Sequence, residues 1–296
     1  MRSHKLNNRL FQMMIHAVLI VFSLLALIPF VLLITSSLTA EEILLVDGYS
    51  FFPRKWSINA YAFIFITNGL SVLRAYGVTV FITVVGTSLS LLISPMLAYV
   101  ISRQDYKYRK IVTFIIFFTI IFNGGFVSTY IMYTQLFRIR NTIFALLFPN
   151  LLFNGFFVMI MKSYFTINIH PALIEAAKID GAGEFRIYYS IVVPLSLPIV
   201  AAIGLMIGIR YWNDWQNGLY YITNPRLFSL QNLLNRILMN ARALSTISDS
   251  SSMHIEMPSI GVRMAMAVIG VLPVMALYPF FQRYFIKGIS LGGVKG

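Results

Sequence analysis

The sequence predicts an all-α membrane protein with six transmembrane helices. Its 296 residues are 58% hydrophobic and only 11% charged, whereas soluble globular domains carry about 25% charged residues. Several uncharged apolar runs are long enough to cross a hydrocarbon core of about 30 Å, which needs about 20 helical residues. The strands of membrane barrels have only about 10 residues, and a bilayer does not tolerate open sheet edges. These runs are therefore predicted to be helices.

The apolar runs place all six spans within a single domain that covers residues 1–296. The predicted spans are about 11–35, 76–101, 111–136, 142–161, 191–212 and 264–284. The first is interpreted as a retained span, because its apolar core exceeds the roughly 7–15 residues of a signal peptide. Residues 56–73 are also uncharged but contain several polar residues. Their more apolar part, 58–66, is predicted to be an amphipathic segment at the membrane surface.

The basic residues predict the orientation of the chain. Thirteen of the 23 Lys and Arg residues lie in four short segments: the N-terminus, the turn 103–110, the loop 162–186 and the C-terminus. Short basic loops lie on the cytoplasmic side, so both termini are expected in the cytoplasm. The same residues flank spans and form no contiguous tract. The net charge of +13 therefore does not indicate a nucleic-acid partner.

Few residues could carry catalytic or metal chemistry. The chain has no cysteine, and its four histidines lie far apart without the spacing of helical ligand pairs, so no catalytic residue and no metal site are predicted. It also lacks the Gly-x-x-x-x-Gly-Lys-Ser/Thr loop that binds nucleotide phosphates. We therefore expect a protein that is not an enzyme and binds no cofactor. An ion-coupled carrier is disfavoured, because such carriers usually keep ionisable residues inside the membrane.

Two other segments interrupt the apolar pattern. Asn123-Gly124-Gly125 falls inside the third run, and two adjacent glycines weaken a helix by about 2 kcal/mol relative to alanine. The segment is either a kink that lines a cavity or a turn or close packing contact. Residues 227–238 have helical spacing of apolar residues and predict a helix on the outer surface. Residues 245–252 are polar and predict an exposed loop, and residues 287–296 form a glycine-rich tail.

The loop 164–190 between the fourth and fifth predicted spans carries a recognisable pattern. Pro171 is suited to the first turn of a helix, and good helix formers follow up to Ile179. Asp180-Gly181 is a turn signal, and a second helix can start near Gly183 and continue toward Pro194. A protruding helix face that includes both Ala176 and Ala177 would let another surface approach the backbone closely. The loop is therefore either a docking element or an interfacial connector between two spans.

The string Glu175-Ala176-Ala177, followed by Asp180-Gly181-Ala182, Ile191 and Pro194, resembles the "EAA" loop of ABC importer permeases. In that family the loop is a cytoplasmic coupling helix, which sits in a cleft of the ATP-binding subunit. The resemblance thus implies a type I ABC importer permease architecture. It implies an ATPase-coupling role for Glu175, Ala176, Ala177, Asp180, Gly181 and Ala182.

Further strings resemble the carbohydrate-uptake branch of these permeases, namely the smaller permease of maltose-type and polysaccharide lipoprotein-dependent systems. They are 211–215 (Tyr-Trp-Asn-Asp-Trp), Pro273, 278–282, 285–288 and the ending 292–296, and the segment 123–125 also fits. The resemblance implies a sugar path. The candidate residues of this path have side chains that can stack on a sugar ring or form hydrogen bonds with it. They are Tyr211, Trp212, Asn213, Trp215 and Asn123. An aromatic belt at the membrane interface is the alternative for the aromatic residues.

The resemblance also implies the partners. They are a second homologous permease, two copies of an ABC ATPase that hold ATP and Mg, an extracellular solute-binding protein, the lipid bilayer, and a sugar or oligosaccharide as cargo. A permease for a non-sugar solute, such as amino acids or polyamines, is the alternative.

Overall fold

The computed structural model describes residues 2–248 and 259–292, and within these ranges every regular element is a helix. The prediction of an all-α chain is thus confirmed for the described residues. The helices are α1 Arg2–Ser37, α2 Glu41–Val46, α3 Asn59–Ser102, α4 Arg109–Ile121, α5 Gly125–Ile131, α6 Phe144–Leu147, α7 Gly155–Asn168, α8 Pro171–Ile179, α9 Glu184–Ile187, α10 Val193–Leu195, α11 Leu197–Trp212, α12 Gln216–Tyr221, α13 Leu230–Ser248 and α14 Ser259–Gly292. Single π-helical turns at Met132–Leu136 and Tyr188–Val192 follow α5 and α9, and a 3-10 turn Pro225–Leu227 precedes α13.

The described parts of Met1–Leu70 and Arg236–Leu272 form one compact unit. In α1 residues 11–31 are exposed throughout, as expected for a helix that lipid surrounds, whereas Ser36 and Ser37 at its end are buried. A carboxylate of α2 holds the start of α14: Glu41 accepts hydrogen bonds from the amides of Ile260 and Gly261 at 2.9 and 2.8 Å. This contact satisfies two of the amides that a helix N-terminus leaves unpaired.

The second unit comprises Ser71–Asn235 and the described part of Pro273–Gly296, and α3 and α11 pack closely within it. The contact is made by small side chains, which let helix backbones approach. Gly86 leaves room for the ring of Tyr211, because a Cβ on Gly86 would stand 2.3 Å from Cζ of that ring. Gly204 leaves similar room for Leu91, whose Cδ1 would be 2.9 Å from an added Cβ.

The helices differ in their ability to cross a membrane. Phe11–Ser37 and Gly69–Ser102 are each long and apolar enough to do so alone. Three further pairs of helices are long and apolar enough only if each bent pair is counted as one span. The pairs and their bend angles are Arg109–Ile121 with Gly125–Leu136 (111°), Gly155–Asn168 with Pro171–Ile179 (75°), and Glu184–Leu195 with Leu197–Tyr221 (81°). The predicted count of six spans stays a prediction.

One predicted span, 142–161, is not a continuous helix. Helix α6 ends at Leu147 and α7 begins only at Gly155. Pro149 disfavours helical backbone in the residue before it, and Asn150 adopts a positive φ of 59°. Asn154 then caps α7 by accepting the amide of Phe157 at 3.2 Å. The helix continues to Asn168, seven residues beyond the predicted end.

The other boundaries also move. The segment 58–66 is not separate from the second span, because α3 runs unbroken from Asn59 to Ser102. The fifth predicted span starts at 191, whereas α11 starts at Leu197 after a bend at Ser196, where prolines 194 and 198 interrupt the helical hydrogen bonds.

The helix expected at 227–238 is confirmed as α13 from Leu230, but α13 extends to Ser248 and takes in the start of the predicted loop 245–252. Residues 249–252 of that loop lie outside the described residues. Helix α14 reaches Gly292, so the first part of the predicted tail is helical, and residues 293–296 lie outside the described part of the chain.

Candidate functional site

The loop between α7 and α11 folds as the predicted helix–turn–helix. Helix α8 starts at Pro171, and the Nδ1 atom of His170 accepts a hydrogen bond from the amide of Ala172 at 3.3 Å. Proline is favoured in this first turn because its missing N–H would have no helical partner. Helix α9 starts at Glu184, and the path continues through the π turn and α10, which ends just after Pro194.

The corner between α8 and α9 depends on one glycine. Gly181 has a φ of 77°, and the amide of Ala182 donates to the carbonyl of Ala177 at 2.9 Å. This pattern ends a helix with a left-handed residue, usually glycine. A Cβ at Gly181 would meet nothing within 4 Å. The backbone conformation, and not crowding, therefore requires glycine at this position.

The two faces of this loop differ in burial. Ile174 and Ile187 are buried, and Ala177 and Ala182 pack partly buried against the same core. The outer face exposes polar and small residues together with large apolar ones: Glu175, Ala176, Asp180, Leu173, Ile179 and Phe185. Ile179 is 86% exposed and Phe185 is 71% exposed. We expected Ala176 and Ala177 to share one open face, but only Ala176 is exposed.

Four charged residues bind this loop to the end of α3, and we call them the charged clamp: Arg103, Asp105, Lys178 and Glu184. The Nη1 atom of Arg103 donates to Glu184 at 3.0 Å, and its Nε atom donates to Asp105 at 2.9 Å. The Nζ atom of Lys178 lies 3.3 Å from Asp105 and 3.1 Å from Glu184. Each cation therefore contacts both carboxylates, and the four side chains form a closed ring of ion pairs.

Tyr99 extends the clamp from within α3. Its hydroxyl accepts a hydrogen bond from Arg103 at 2.7 Å and donates to Glu184 at 3.3 Å. The guanidinium carbon of Arg103 lies 5.6 Å from the centre of the Tyr99 ring, within the range of a cation–π contact. The side chain of Arg103 is consequently only 12% exposed.

The clamp shifts the titration of its own members. The hydrogen bond from Arg103, with a second one from Lys178, lowers the pKa of the Asp105 carboxyl to about 2. Burial alone would raise the pKa of Glu184, but the Lys178 hydrogen bond and the Arg103 charge outweigh it and lower that pKa. Hydrogen bonds to Glu184 and Asp105 raise the pKa of Lys178. All four groups are therefore charged at neutral pH.

The sequence reasoning missed the clamp. It placed Arg103 and Lys178 in two short loops on one side of the membrane but did not pair them with acidic partners. The available signal was Asp105, an acidic residue within the otherwise basic turn 103–110. Its partner Lys178 lies 73 residues further along the chain.

The residues predicted to line a sugar path separate into two groups. Tyr211 and Trp212 are buried, at 0% and 5% exposure. The hydroxyl of Tyr211 donates to the carbonyl of Leu147 at 2.8 Å, and the ring of Trp212 lies 6.3 Å from the ring of Tyr76. Asn213 and Trp215 are exposed. The first two residues thus pack inside the second unit, whereas Asn213 and Trp215, like the predicted residue Asn123, are exposed.

A cleft of about 300 Å³ adjoins the exposed pair. It lies between the turn after α6 and the turn after α11. The Nη2 atom of Arg210 donates to the carbonyl of Asn150 at 2.9 Å, and the side chain of Asn217 donates to the carbonyl of Pro149 at 3.0 Å. These bonds fix the cleft walls. Its lining residues are Pro149, Asn150, Leu151, Arg210, Asn213, Asp214, Trp215, Gln216 and Asn217.

Asn123 lies at a sharp turn. Its side-chain oxygen accepts the amide of Gly125 at 2.9 Å, and Gly125 has a φ of 79°. Added Cβ atoms would meet nothing closer than 4.0 Å at Gly124 and nothing within 4 Å at Gly125. Close helix packing is therefore not the reason for the glycines. Beyond the turn, Phe126 contacts Tyr220 with ring centres 4.2 Å apart, which joins α5 to α12.

The chain is similar to known transport proteins over nearly its whole length. It is 34% identical to the polygalacturonan/rhamnogalacturonan transport system permease protein YtcP of Bacillus subtilis (strain 168), covering 98% of this chain and 100% of that one. It is 27% identical to the arabinooligosaccharides transport system permease protein AraQ of Halalkalibacterium halodurans, covering 92% of each. One chain of a bacterial ABC transporter involved in the import of the acidic polysaccharide alginate superimposes with a TM-score of 0.75 at 26% identity, covering 94% of this chain and 98% of that one.

The family comparison covers the clamp, the helix–turn–helix and the cleft together. Residues 90–291 match the model described as "Binding-protein-dependent transport system inner membrane component". That range is more than half of the chain. The chain belongs to the family of inner membrane components of binding-protein-dependent transport systems, the permeases of ABC transporters.

Proposed function

We propose that this chain is the transmembrane permease subunit of an ATP-binding-cassette importer for a sugar or oligosaccharide. It forms half of the translocation path and couples transport to ATP hydrolysis by a separate subunit. One observation carries the proposal: the exposed outer face of α8 lies on a helix–turn–helix that belongs to a permease family chain. Relatives named for saccharide transport support the cargo class.

The outer face of the helix–turn–helix suits a protein partner. Leu173, Ile179 and Phe185 expose large apolar side chains beside the carboxylates of Glu175 and Asp180. An exposed apolar patch with a polar rim is typical of protein interfaces. We assign this face, with Glu175, Ala176, Asp180 and Gly181, to contact with the ATPase. Ala177 and Ala182 support the same helices from the inner side.

The cleft beside Asn213 and Trp215 is the proposed point of cargo contact within this chain. An indole ring offers a stacking surface for sugar rings, and the amide offers hydrogen bonds to hydroxyl groups. Tyr211 and Trp212 hold α11 in place behind these residues. Asn123 sets the turn that precedes the aromatic contact between α5 and α12.

The complete importer would contain a second homologous permease, two ATPase copies that bind ATP and Mg, and an extracellular solute-binding protein. In this arrangement the chain has six spans in the bacterial cell membrane and both termini in the cytoplasm. The charged clamp and α8 then face the cytoplasm, where the ATPase lies. The chain itself contributes no cofactor site.

Reconstitution into proteoliposomes with these partners tests the proposal. We expect the binding protein loaded with an oligosaccharide to stimulate ATP hydrolysis and to drive uptake of that oligosaccharide. Neutral and uronate-containing oligosaccharides should be compared, with amino acids and polyamines as the alternative cargoes. Stimulation by amino acids or polyamines alone would overturn the sugar proposal. A thiol-reactive crosslinker at Ala176→Cys should reach the ATPase, and crosslinks to lipid alone would contradict the docking role.

A further inference from the structure

We propose that the charged clamp makes α3 move together with α8, so that Arg103, Asp105, Lys178 and Glu184 are positioning residues for ATP-driven transport. This inference rests on the proposed function, because it takes α8 to be the helix that the ATPase displaces. Beyond the proposed function, the inference identifies α3 as the helix that receives the movement and the charged clamp as the side chains that transmit it.

The clamp connects both helices of the loop to α3. Lys178 lies in the last turn of α8 and Glu184 in the first turn of α9, whereas Arg103 directly follows α3. Because each cation contacts both carboxylates, loss of one ion pair leaves the ring connected through the other three. A network of this kind holds its members more firmly than an isolated surface pair.

Apolar packing between α8 and α3 is incomplete. A cavity of about 170 Å³ separates them, and its apolar wall comprises Tyr99, Phe165, Ile169 and Ile174. Close-packed side chains transmit displacement, whereas a void lacks the contacts needed for transmission. Arg103, Asp105 and Lys178 line the polar side of this cavity, and the ion pair of Lys178 with Asp105 connects α8 directly to the turn after α3.

The backbone joints of α8 cannot replace the clamp. A break at Ile169 and His170 separates α7 from α8 with a bend of 75°. The corner at Gly181 separates α8 from α9. Such breaks absorb rotation because a few residues change their φ and ψ angles. Displacement of α8 thus reaches α3 through side chains.

Helix α3 delivers the movement to the cleft. Gly86 lies 17 residues before Arg103, or about 25 Å along a helix that rises 1.5 Å per residue. At Gly86 the helix contacts Tyr211 on α11, and the cleft residues Asn213 and Trp215 follow directly. A shift of α3 is therefore passed to the turn that forms one wall of the cleft.

Charge reversal in the reconstituted importer tests the inference. Arg103→Glu places three carboxylates together, and we expect transported sugar per ATP hydrolysed to fall by about tenfold, within the usual range of coupling between sites. Lys110→Glu is the matched control, because it makes the same charge change at an exposed residue outside the clamp. The double variant Arg103→Glu with Glu184→Arg restores an opposite-charge pair between residues 103 and 184 and keeps the pair of Lys178 with Asp105. Both contacts that join the end of α3 to the loop are then attractive, so this variant should recover most of the coupling. Full coupling in the single variant, or no recovery in the double variant, would overturn the inference.

Cysteine substitution gives a second test that does not depend on charge reversal being tolerated. The chain has no cysteine, so Arg103→Cys with Glu184→Cys creates the sole thiol pair. We expect the reduced variant to transport little sugar per ATP hydrolysed. Transport per ATP should recover after a short bifunctional thiol reagent joins the two cysteines. Inhibition by the crosslink would show that the two segments move apart, and would refute the inference. Lack of sugar-stimulated ATP hydrolysis in the unmodified importer would instead refute the proposed function.

Discussion

The hydroxyl of Tyr211 donates a hydrogen bond of 2.8 Å to the carbonyl oxygen of Leu147, and the Tyr211 ring fills the space beside Gly86. This one side chain therefore joins three segments of the second unit: α3, α6 and α11. Its position also explains why an aromatic residue that sequence reasoning assigned to a sugar path is fully buried.

Replacing Tyr211 by phenylalanine should destabilise the protein without changing cargo preference. The Leu147 carbonyl would lose its buried donor, which costs about 1–3 kcal/mol. Thermal unfolding of the detergent-solubilised importer should show a lower midpoint. Tyr220→Phe is the control, because Tyr220 is 41% exposed and its hydroxyl has water available. Equal midpoints for Tyr211→Phe and the unmodified protein would contradict the assigned role.

Replacing Gly86 by alanine should be more disruptive than the same change at Gly77. A Cβ at residue 86 would stand 2.3 Å from Cζ of Tyr211, whereas one at residue 77 would meet nothing within 4 Å. Overpacking typically costs about 1–3 kcal/mol, while alanine at an open helix position stabilises by up to about 1 kcal/mol. Unfolding midpoints of the two variants should therefore shift in opposite directions, and similar shifts would argue against the close α3–α11 contact.

Replacing Gly181 by valine should uncouple transport while leaving membrane insertion intact. A β-branched residue at a φ of 77° is strained by about 1–2 kcal/mol, so α8 and α9 would meet at a different angle. Gly183→Val is the control, because Gly183 has a φ of −73° and a ψ of 161°, which valine readily adopts. Sugar uptake and ATP hydrolysis should be measured together in both variants. Unchanged uptake in Gly181→Val would show that transport does not depend on the corner between α8 and α9.

Asp105 of the charged clamp should make stability depend on pH in acid. The pKa of Asp105 falls from 3.8 to about 2 on folding, so its stabilisation is complete above the unfolded value and is lost as pH falls through the folded one. Thermal midpoints of the unmodified protein and Asp105→Asn should differ equally at pH 5 and pH 7, and should converge as pH falls below about 4. A difference that persists unchanged at pH 3 would contradict this assignment.

Replacing Glu41 by alanine should loosen the start of α14. The amides of Ile260 and Gly261 would lose their acceptor, and loss of a helix N-cap costs about 0.5–2 kcal/mol. Hydrogen exchange at these two amides should accelerate by about tenfold, as a loss near 1.4 kcal/mol implies. Glu42→Ala should leave both amides unaffected, because Glu42 pairs with Lys55 and is 74% exposed.

The sequence allowed the helix–turn–helix to be predicted because its signals are local. The effects of Pro171, Asp180 and Gly181 on the backbone extend only a few residues along the chain. Helix α8 and its corner therefore follow from local backbone preferences. The break at Asn123 was predictable for the same reason. The break between α6 and α7 was missed although Pro149 and Asn150 stand within the run. There, apolar composition was weighed above the turn signals of those two residues.

The clamp and the role of Tyr211 could not be predicted in this way. Arg103 and Glu184 are 81 residues apart, and nothing in either local sequence specifies the other. The aromatic string from Tyr211 to Trp215 fits a buried contact, a membrane interface or a sugar site equally well, because aromatic side chains serve all three. The structure distinguishes the two ends of this string, because Tyr211 packs against Gly86 whereas Trp215 is exposed.

The exposure of α1 affects which substitutions this protein can accept during evolution. From residue 11 to residue 31 every residue is exposed, so packing within the described chain does not constrain the shape of these side chains. Lipid accepts any apolar residue of suitable length. Substitutions there should accumulate freely while hydropathy is kept, whereas α3, with glycines at its contact with α11, should tolerate few. A saturation mutagenesis screen would then show two helices of similar composition under different selective constraints.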